Sequence, residues 1–147
     1  MVVSLNRTGP VSSAQDPMDT FRQTIAARVM DRYCATEDYQ ALICYGIDTA
    51  KLDPKVVKNA LEIELERLGI VNEALLIEEL ESSLHRFTVS DKKLDSKERN
   101  DAMQLVCKTR PGFAKGLRYE VAESTIVAYC RAHGVKVKTG LFSWSVP

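Results

Sequence analysis

Hydrophobic residues recur at helical spacing along most of the chain, and the pattern is clearest in the middle. Residues 54–68 place Val57, Leu61 and Leu65 on one side of a helix, and residues 72–87 form a second apolar stripe. Stripes of this kind are typical of helices that bury one face and expose the other.

The ends of these two segments carry helix-boundary signals. Asp53 followed by Pro54 is a favourable helix start. Gly69 is typical of a left-handed helix end, and Asn72 can cap the following helix. Because the connector is short, the two helices are expected to run antiparallel as a central helical hairpin over 54–87.

The remaining periodicity predicts four more helices and a β element. Residues 135–146 alternate valine with lysine and then aromatic residues with serine, which favours a small hairpin near Gly140. No internal repeat of fixed period is present. The expected fold class is all-α, a bundle of about six helices around the central helical hairpin, with a short C-terminal β element. The four further helices are expected over 16–33, 36–46, 95–109 and 117–133, with Thr36 and Asp95 as N-caps of the second and third of these and Gly134 ending the last.

Length and composition favour one globular domain. Residues 1–15 lack periodicity and are expected to form a disordered N-terminal tail, leaving 16–147 as a single helical domain. The polar connector at 88–95 is a possible sub-boundary. The opening MVVSL is too short for a secretory signal, and no run is long enough to span a membrane. With four cysteines and no metal-binding spacing, we expect a cytoplasmic protein with reduced thiols.

The charge is balanced overall but uneven along the chain. Formal net charge is zero, whereas residues 54–87 carry four basic residues and seven Glu, and residues 108–140 carry seven basic residues and two Glu. The basic C-terminal third is therefore either internal charge balance or a partner surface.

Glu64 interrupts the apolar stripe of its helix. Arg28 and Arg32 lie on or beside the stripe of the first helix, so we expect a buried ion pair that joins Glu64 to one of them. The alternatives are that Glu64 is a functional acid with a raised pKa, and that the arginines rim a groove for an anionic partner.

The alternative function is a nucleic-acid-binding domain, in which residues 96–133 form a helix-turn-helix-like motif. Lys115, Arg118, Lys136 and Lys138 would supply phosphate contacts, with a basic ribbon at 135–140. Two features weaken this alternative. The connector exceeds the usual turn, and the last helix presents Glu120 and Glu123 near its start, where they would repel phosphates.

Catalytic motifs are not apparent. The chain has no Gly-rich phosphate loop and only two histidines, and Cys130 with His133 lies on an apolar helix face. We therefore expect a protein that is not an enzyme and needs no cofactor or metal.

The remaining class is a non-enzymatic helical protein-interaction or scaffold module with a protein partner and no membrane contact. Phe142 and Trp144 are the expected docking residues, because aromatic side chains are enriched in binding hot spots. The alternative is that Trp144 closes the core.

Overall fold

The computed structural model describes residues 16–147, and the predicted tail at 1–15 lies outside the described residues. Within this range the chain forms six α-helices, and a π-helical segment, Tyr45–Thr49, follows the second of them. The helices are α1 (Pro17–Arg28), α2 (Thr36–Cys44), α3 (Pro54–Arg67), α4 (Glu73–Thr88), α5 (Ser96–Cys107) and α6 (Tyr119–His133).

Short strands join the helices into two small sheets. β1 and β2 pair in parallel, β3 pairs in parallel with β4, and β4 pairs antiparallel with β5. The mostly helical fold with a short C-terminal β element is thus confirmed. The first three strands were not expected, because two residues are too few to show an alternating pattern. The strands are β1 (Tyr33–Cys34), β2 (Val71–Asn72), β3 (Lys93–Leu94), β4 (Lys136–Lys138) and β5 (Trp144–Ser145).

Most helix starts follow the capping signals in the sequence. The side chains of Asp53 and Asn72 accept hydrogen bonds from backbone N–H groups at the starts of α3 and α4. Asp95 and Glu98 form a capping box at the start of α5. These local bonds satisfy donors that a helix end would otherwise leave free.

Two boundaries differ from the predictions. α1 ends at Arg28 rather than near Tyr33, because the backbone of Val29 is extended, and Asp31 and Arg32 then adopt left-handed conformations that turn the chain. Thr36 does not cap α2. It is the first residue of that helix, after Ala35, and its side chain instead donates a hydrogen bond to Glu73.

The core consists of two hydrophobic clusters, one in each half of the chain. α3 packs mainly on α1 and α2, whereas α4 packs mainly on α5 and α6. The two central helices therefore belong to different halves, 16–72 and 73–147, and the segment 88–95 lies inside the second half. Tyr33 and Val71 of the first half pack into the cluster of the second half and so connect the two.

The two halves have the same order of elements and the same pattern of core residues. Each runs helix, short strand, helix, helix and short strand, and the halves differ by the π-helical segment in the first and by β5 in the second. All eight buried residues of the first cluster have counterparts at corresponding positions in the second cluster. The pairs are Phe21 and Leu80, Ile25 and Leu84, Cys34 and Leu94, Leu42 and Ala102, Val57 and Ala122, Leu61 and Ile126, Leu65 and Cys130, and Ile70 and Val135.

The same hydrogen bonds hold the strand pairs of both halves. In the first half, the carbonyl of Arg32 accepts from Val71 N at 3.0 Å, and its guanidinium donates to the Leu68 carbonyl at 3.1 Å. In the second half, Lys92 accepts from Lys136 N at 2.9 Å and donates to the His133 carbonyl at 3.1 Å. Both basic residues have a backbone φ of 56°. Their side-chain hydrogen bonds tie each strand pair to the end of a neighbouring helix.

The spacing between equivalent residues changes along the chain, which is why no fixed period is visible. It is 59 residues in the first helix of each half, 60 through the next strand and helix, and 65 from the connector onward. The five extra residues lie in the α5–α6 connector, residues 108–118. This connector packs against the first half, where the Gly112 carbonyl is so close to Gly69 that a Cβ there would lie 2.5 Å from the oxygen.

Candidate functional site

The most exposed apolar side chains in the described part of the chain lie at the tip of the β4–β5 hairpin. Gly134 ends α6 with φ of 64°, and the chain then forms β4, turns, and returns as β5. Thr139 N donates to the Ser143 carbonyl at 2.8 Å and closes the turn. Leu141 is 77% exposed and Phe142 is 89% exposed. The hairpin therefore presents two adjacent apolar residues to solvent.

One face of the second sheet is cationic. Paired residues on neighbouring strands point to the same side, so the pairing of Lys93 with Lys136 and of Lys138 with Trp144 places all four on one face. The lysine Nζ of Lys93 lies 5.1 Å from the centre of the Trp144 ring. Val137 faces the opposite way and packs against the core. We call this surface the lysine face.

Phe142 and Trp144, the two predicted docking residues, are in different environments. Phe142 projects into solvent, whereas Trp144 is half-buried and contacts Lys93. Leu141 and Lys93 complete the surface but were not singled out from the sequence. The order Gly-Leu-Phe-Ser in a predicted hairpin was a signal for Leu141, whereas Lys93 is brought in by a strand pairing that spans 43 residues of chain.

The predicted partners of Glu64 are wrong. Its carboxylate accepts hydrogen bonds from Arg67 of the same helix, at 3.1 and 2.6 Å. These bonds hold the pKa of Glu64 below its usual value. Arg28 instead pairs with Asp38 at 3.5 Å, and Arg32 binds the Leu68 carbonyl. A contact one helix turn away needs no change in the packing of α1, which explains why it forms.

A buried polar network connects the halves. Tyr33 donates to one carboxylate oxygen of Glu73 at 2.5 Å, and the backbone N–H and hydroxyl of Thr36 donate to the other. The Arg118 guanidinium lies 4.2 Å from the Tyr33 ring centre, and Arg118 N donates to the Tyr33 hydroxyl. The network joins β1 of the first half to the start of α4 in the second half.

The pKa values of this network follow from its hydrogen bonds. Burial alone raises the pKa of Glu73, but the bonds from Tyr33 and Thr36 and the charge of Arg118 outweigh it and hold that pKa below its usual value. The pKa of Tyr33 is raised, first by burial and then by its bond to Glu73. Glu73 is therefore ionised and Tyr33 is neutral at neutral pH.

A small cavity lies beside this junction, between the end of α3, β2 and the connector 108–118. Its volume is about 30 Å³, and its walls are mostly apolar, with Glu62 and Lys108 among the charged residues that line it. Asn72 lines it as well. The Oδ1 atom of Asn72 caps α4, whereas the buried Nδ2 atom has no protein hydrogen-bond partner. The cavity has room for about one water molecule, and a water molecule there could accept a hydrogen bond from Nδ2.

The four basic residues of the nucleic-acid alternative do not converge. Arg118 precedes α6 and Lys136 follows it, so the 15-residue helix separates them by about 22 Å. Lys115 lines the junction cavity, and Arg118 belongs to the Tyr33 network. Lys136 and Lys138 alone share a surface, the lysine face.

Burial disfavours the thiolate form of three of the four cysteines. Burial raises the pKa of the Cys34 thiol to about 12, and burial also raises the pKa values of Cys107 and Cys130. Among residues 16–147, no group of three or more His, Cys, Asp or Glu side chains is placed to bind a metal ion. No helix in that range combines the length and apolarity needed to cross a bilayer.

Comparisons of the chain with models of known protein families, with curated proteins and with solved structures found no match.

Proposed function

We propose that this chain is a non-enzymatic protein-interaction module that docks through its C-terminal hairpin. The observation that supports this proposal is the tip itself, where Leu141 and Phe142 are adjacent and almost fully exposed. Large apolar side chains in such positions are a marker of interaction surfaces. Aromatic residues also contribute disproportionately to binding energy once a partner covers them.

The architecture supports a rigid placement of the tip. β4 follows the αL turn at Gly134, pairs with β3, and inserts Val137 against the core of the second half. Arg131 of α6 also donates to the Pro147 carbonyl at 2.7 Å, beyond β5. A docking element held from both strands loses little conformational freedom on binding, which favours affinity.

The test is a comparison of the proteins captured by three baits from a lysate of the source organism. Wild type and Met30→Ser are expected to capture the same proteins, because Met30 is 76% exposed but far along the chain from the hairpin. Phe142→Ser is expected to lose the specific partner while remaining folded. Identical capture by Phe142→Ser and wild type would remove the hairpin from the proposal.

Nucleic-acid binding is the second candidate, and the lysine face is the observation that favours it. Three lysines on one surface could contact phosphates, with affinity that falls steeply as salt increases. An NMR titration with duplex DNA at low and then physiological salt distinguishes the candidates. Shifts confined to the lysine face, absent from Lys136→Glu/Lys138→Glu, would favour nucleic acid over a protein partner.

A further inference from the structure

The three lysines of the lysine face, Lys93, Lys136 and Lys138, have no ion-pair partner among residues 16–147. Residues 124–147 contain no Asp or Glu. Two acidic residues flank β3, and their carboxylates accept hydrogen bonds from backbone N–H groups and form no ion pair with the three lysines. Asp91 accepts from Lys93 N, and Asp95 caps α5.

The charge and the apolar tip have a fixed spatial relation. Lys136 and Lys138 are two residues apart on one strand, so their side chains lie about 7 Å apart on the same side. Lys138 is opposite Trp144, which is two residues from Phe142, so the cationic groups begin within about 7 Å of the tip along the strand. An occupant that covers Phe142 therefore also meets the lysines.

The charge is on one side of the hairpin only. The opposite side of the sheet, with Leu94 and Val137, packs against the helices. An occupant therefore meets the charged side from one direction only. Lys93 already lies against the Trp144 ring, which leaves that ring less suited to stack on a nucleobase.

We propose that the partner is an acidic protein segment, with carboxylates flanking an apolar or aromatic residue that packs on Phe142. This inference rests on the proposed function and specifies its partner. Carboxylates about 7 Å apart would meet Lys136 and Lys138, and the charge complementarity would select the orientation of the segment and speed association. Neutral or basic segments with the same apolar residue would be rejected because the lysines would lose hydration without gaining a counter-charge.

The test uses the full chain as bait for a phage-displayed library of random dodecapeptides. Wild type is expected to enrich peptides that contain Asp or Glu on both sides of an apolar or aromatic residue. Lys136→Glu/Lys138→Glu is expected to enrich basic peptides instead, and to bind the wild-type peptides about tenfold more weakly. Lys51→Glu/Lys55→Glu makes the same change in net charge on the first half and is the matched control, expected to behave as wild type.

The remaining variants separate this inference from the proposed function. Enrichment that requires Phe142 but shows no preference for acidic residues overturns the acidic partner and leaves the docking tip in place. Enrichment unaffected by Phe142→Ser overturns both. The acidic protein segment is also overturned as the occupant if no peptide is enriched. The same holds if the chain binds phosphatidylserine vesicles or DNA through the three lysines.

Discussion

At the scale of single residues, the buried carboxylate of Glu73 is the group on which most of the junction depends. It lies in the first turn of α4, a favourable position for a negative charge. It receives three hydrogen bonds, all from residues of the first half. Glu73 thus ties β1 and α2 to the helix that opens the second half.

Tyr33→Phe tests this network. The change leaves a buried carboxylate oxygen without its donor, so the free energy of unfolding at neutral pH is expected to fall by about 1–3 kcal/mol. Tyr39→Phe is the control, because Tyr39 makes a similar bond to Glu62, which remains paired with Lys58. That control is expected to cost less than about 1 kcal/mol. Equal losses in urea unfolding would contradict a special role for Glu73.

The same network predicts how stability depends on pH. The pKa of Glu73 is lower in the folded protein than its ordinary value, so its contribution is complete above the unfolded pKa of about 4.3 and is lost as pH falls through the folded value. The destabilisation caused by Tyr33→Phe is therefore expected to shrink below about pH 4. Unfolding curves of both proteins between neutral and acidic pH measure this, and a constant difference would contradict it.

At the scale of elements, the same glycine turn at a helix end has different surroundings in the two halves. Gly69 and Gly134 both end a helix with φ near 65° and lead into a short strand. Gly134 has no atoms near the position of a Cβ, whereas Gly69 lies against the carbonyl of Gly112. The connector, with its five extra residues, therefore packs against the turn at Gly69. Among the described residues, none packs in this way against the equivalent turn at Gly134.

Substituting alanine for each glycine separates the two effects. Gly134→Ala is expected to cost about 1–2 kcal/mol, because alanine is strained at positive φ. Gly69→Ala carries the same strain, and its Cβ also collides with backbone, which is expected to add about 1–3 kcal/mol. Chemical denaturation of the two variants measures the difference. Equal costs would mean that the connector does not pack tightly on the first half.

At the scale of the whole molecule, two clusters share one chain of 147 residues. Leu61 is fully buried in the first cluster and Leu84 in the second. Because the clusters are separate, a cavity made in one has no direct contact with a cavity made in the other. The halves contact each other through Tyr33, Val71, the hydrogen bonds of Glu73 and the connector instead.

This separation predicts additive effects of core truncation. Leu61→Ala and Leu84→Ala are each expected to destabilise by about 2–5 kcal/mol, and the double variant is expected to lose the sum within about 0.5 kcal/mol. Leu80→Ala/Leu84→Ala is the control, since those residues lie one turn apart in the same cluster and are expected to couple. Strong coupling between Leu61 and Leu84 in denaturation experiments would contradict the two-cluster description.

The local signals in the sequence were sufficient for the presence of the six helices and for most of their starts. Asp53, Asn72 and Asp95 cap helices as predicted, and Gly134 ends the last helix before a hairpin. Each signal involves residues within one or two turns, whose geometry is set by backbone dihedrals and by nearby hydrogen-bond donors. Phe142 was named from the alternating pattern as an expected docking residue; it is exposed at the tip of the hairpin, and its docking role stays a prediction.

The tertiary structure alone decided which elements meet. Parallel pairing of β1 with β2 and of β3 with β4 joins residues about 40 positions apart, and two-residue strands carry no periodic signal that would predict it. The lysine face and the Glu73 network both depend on those pairings or on how the helices pack. Such contacts form only when distant segments fold together, so the sequence determined the elements while packing determined the two halves, their junction and the surface for which we propose docking.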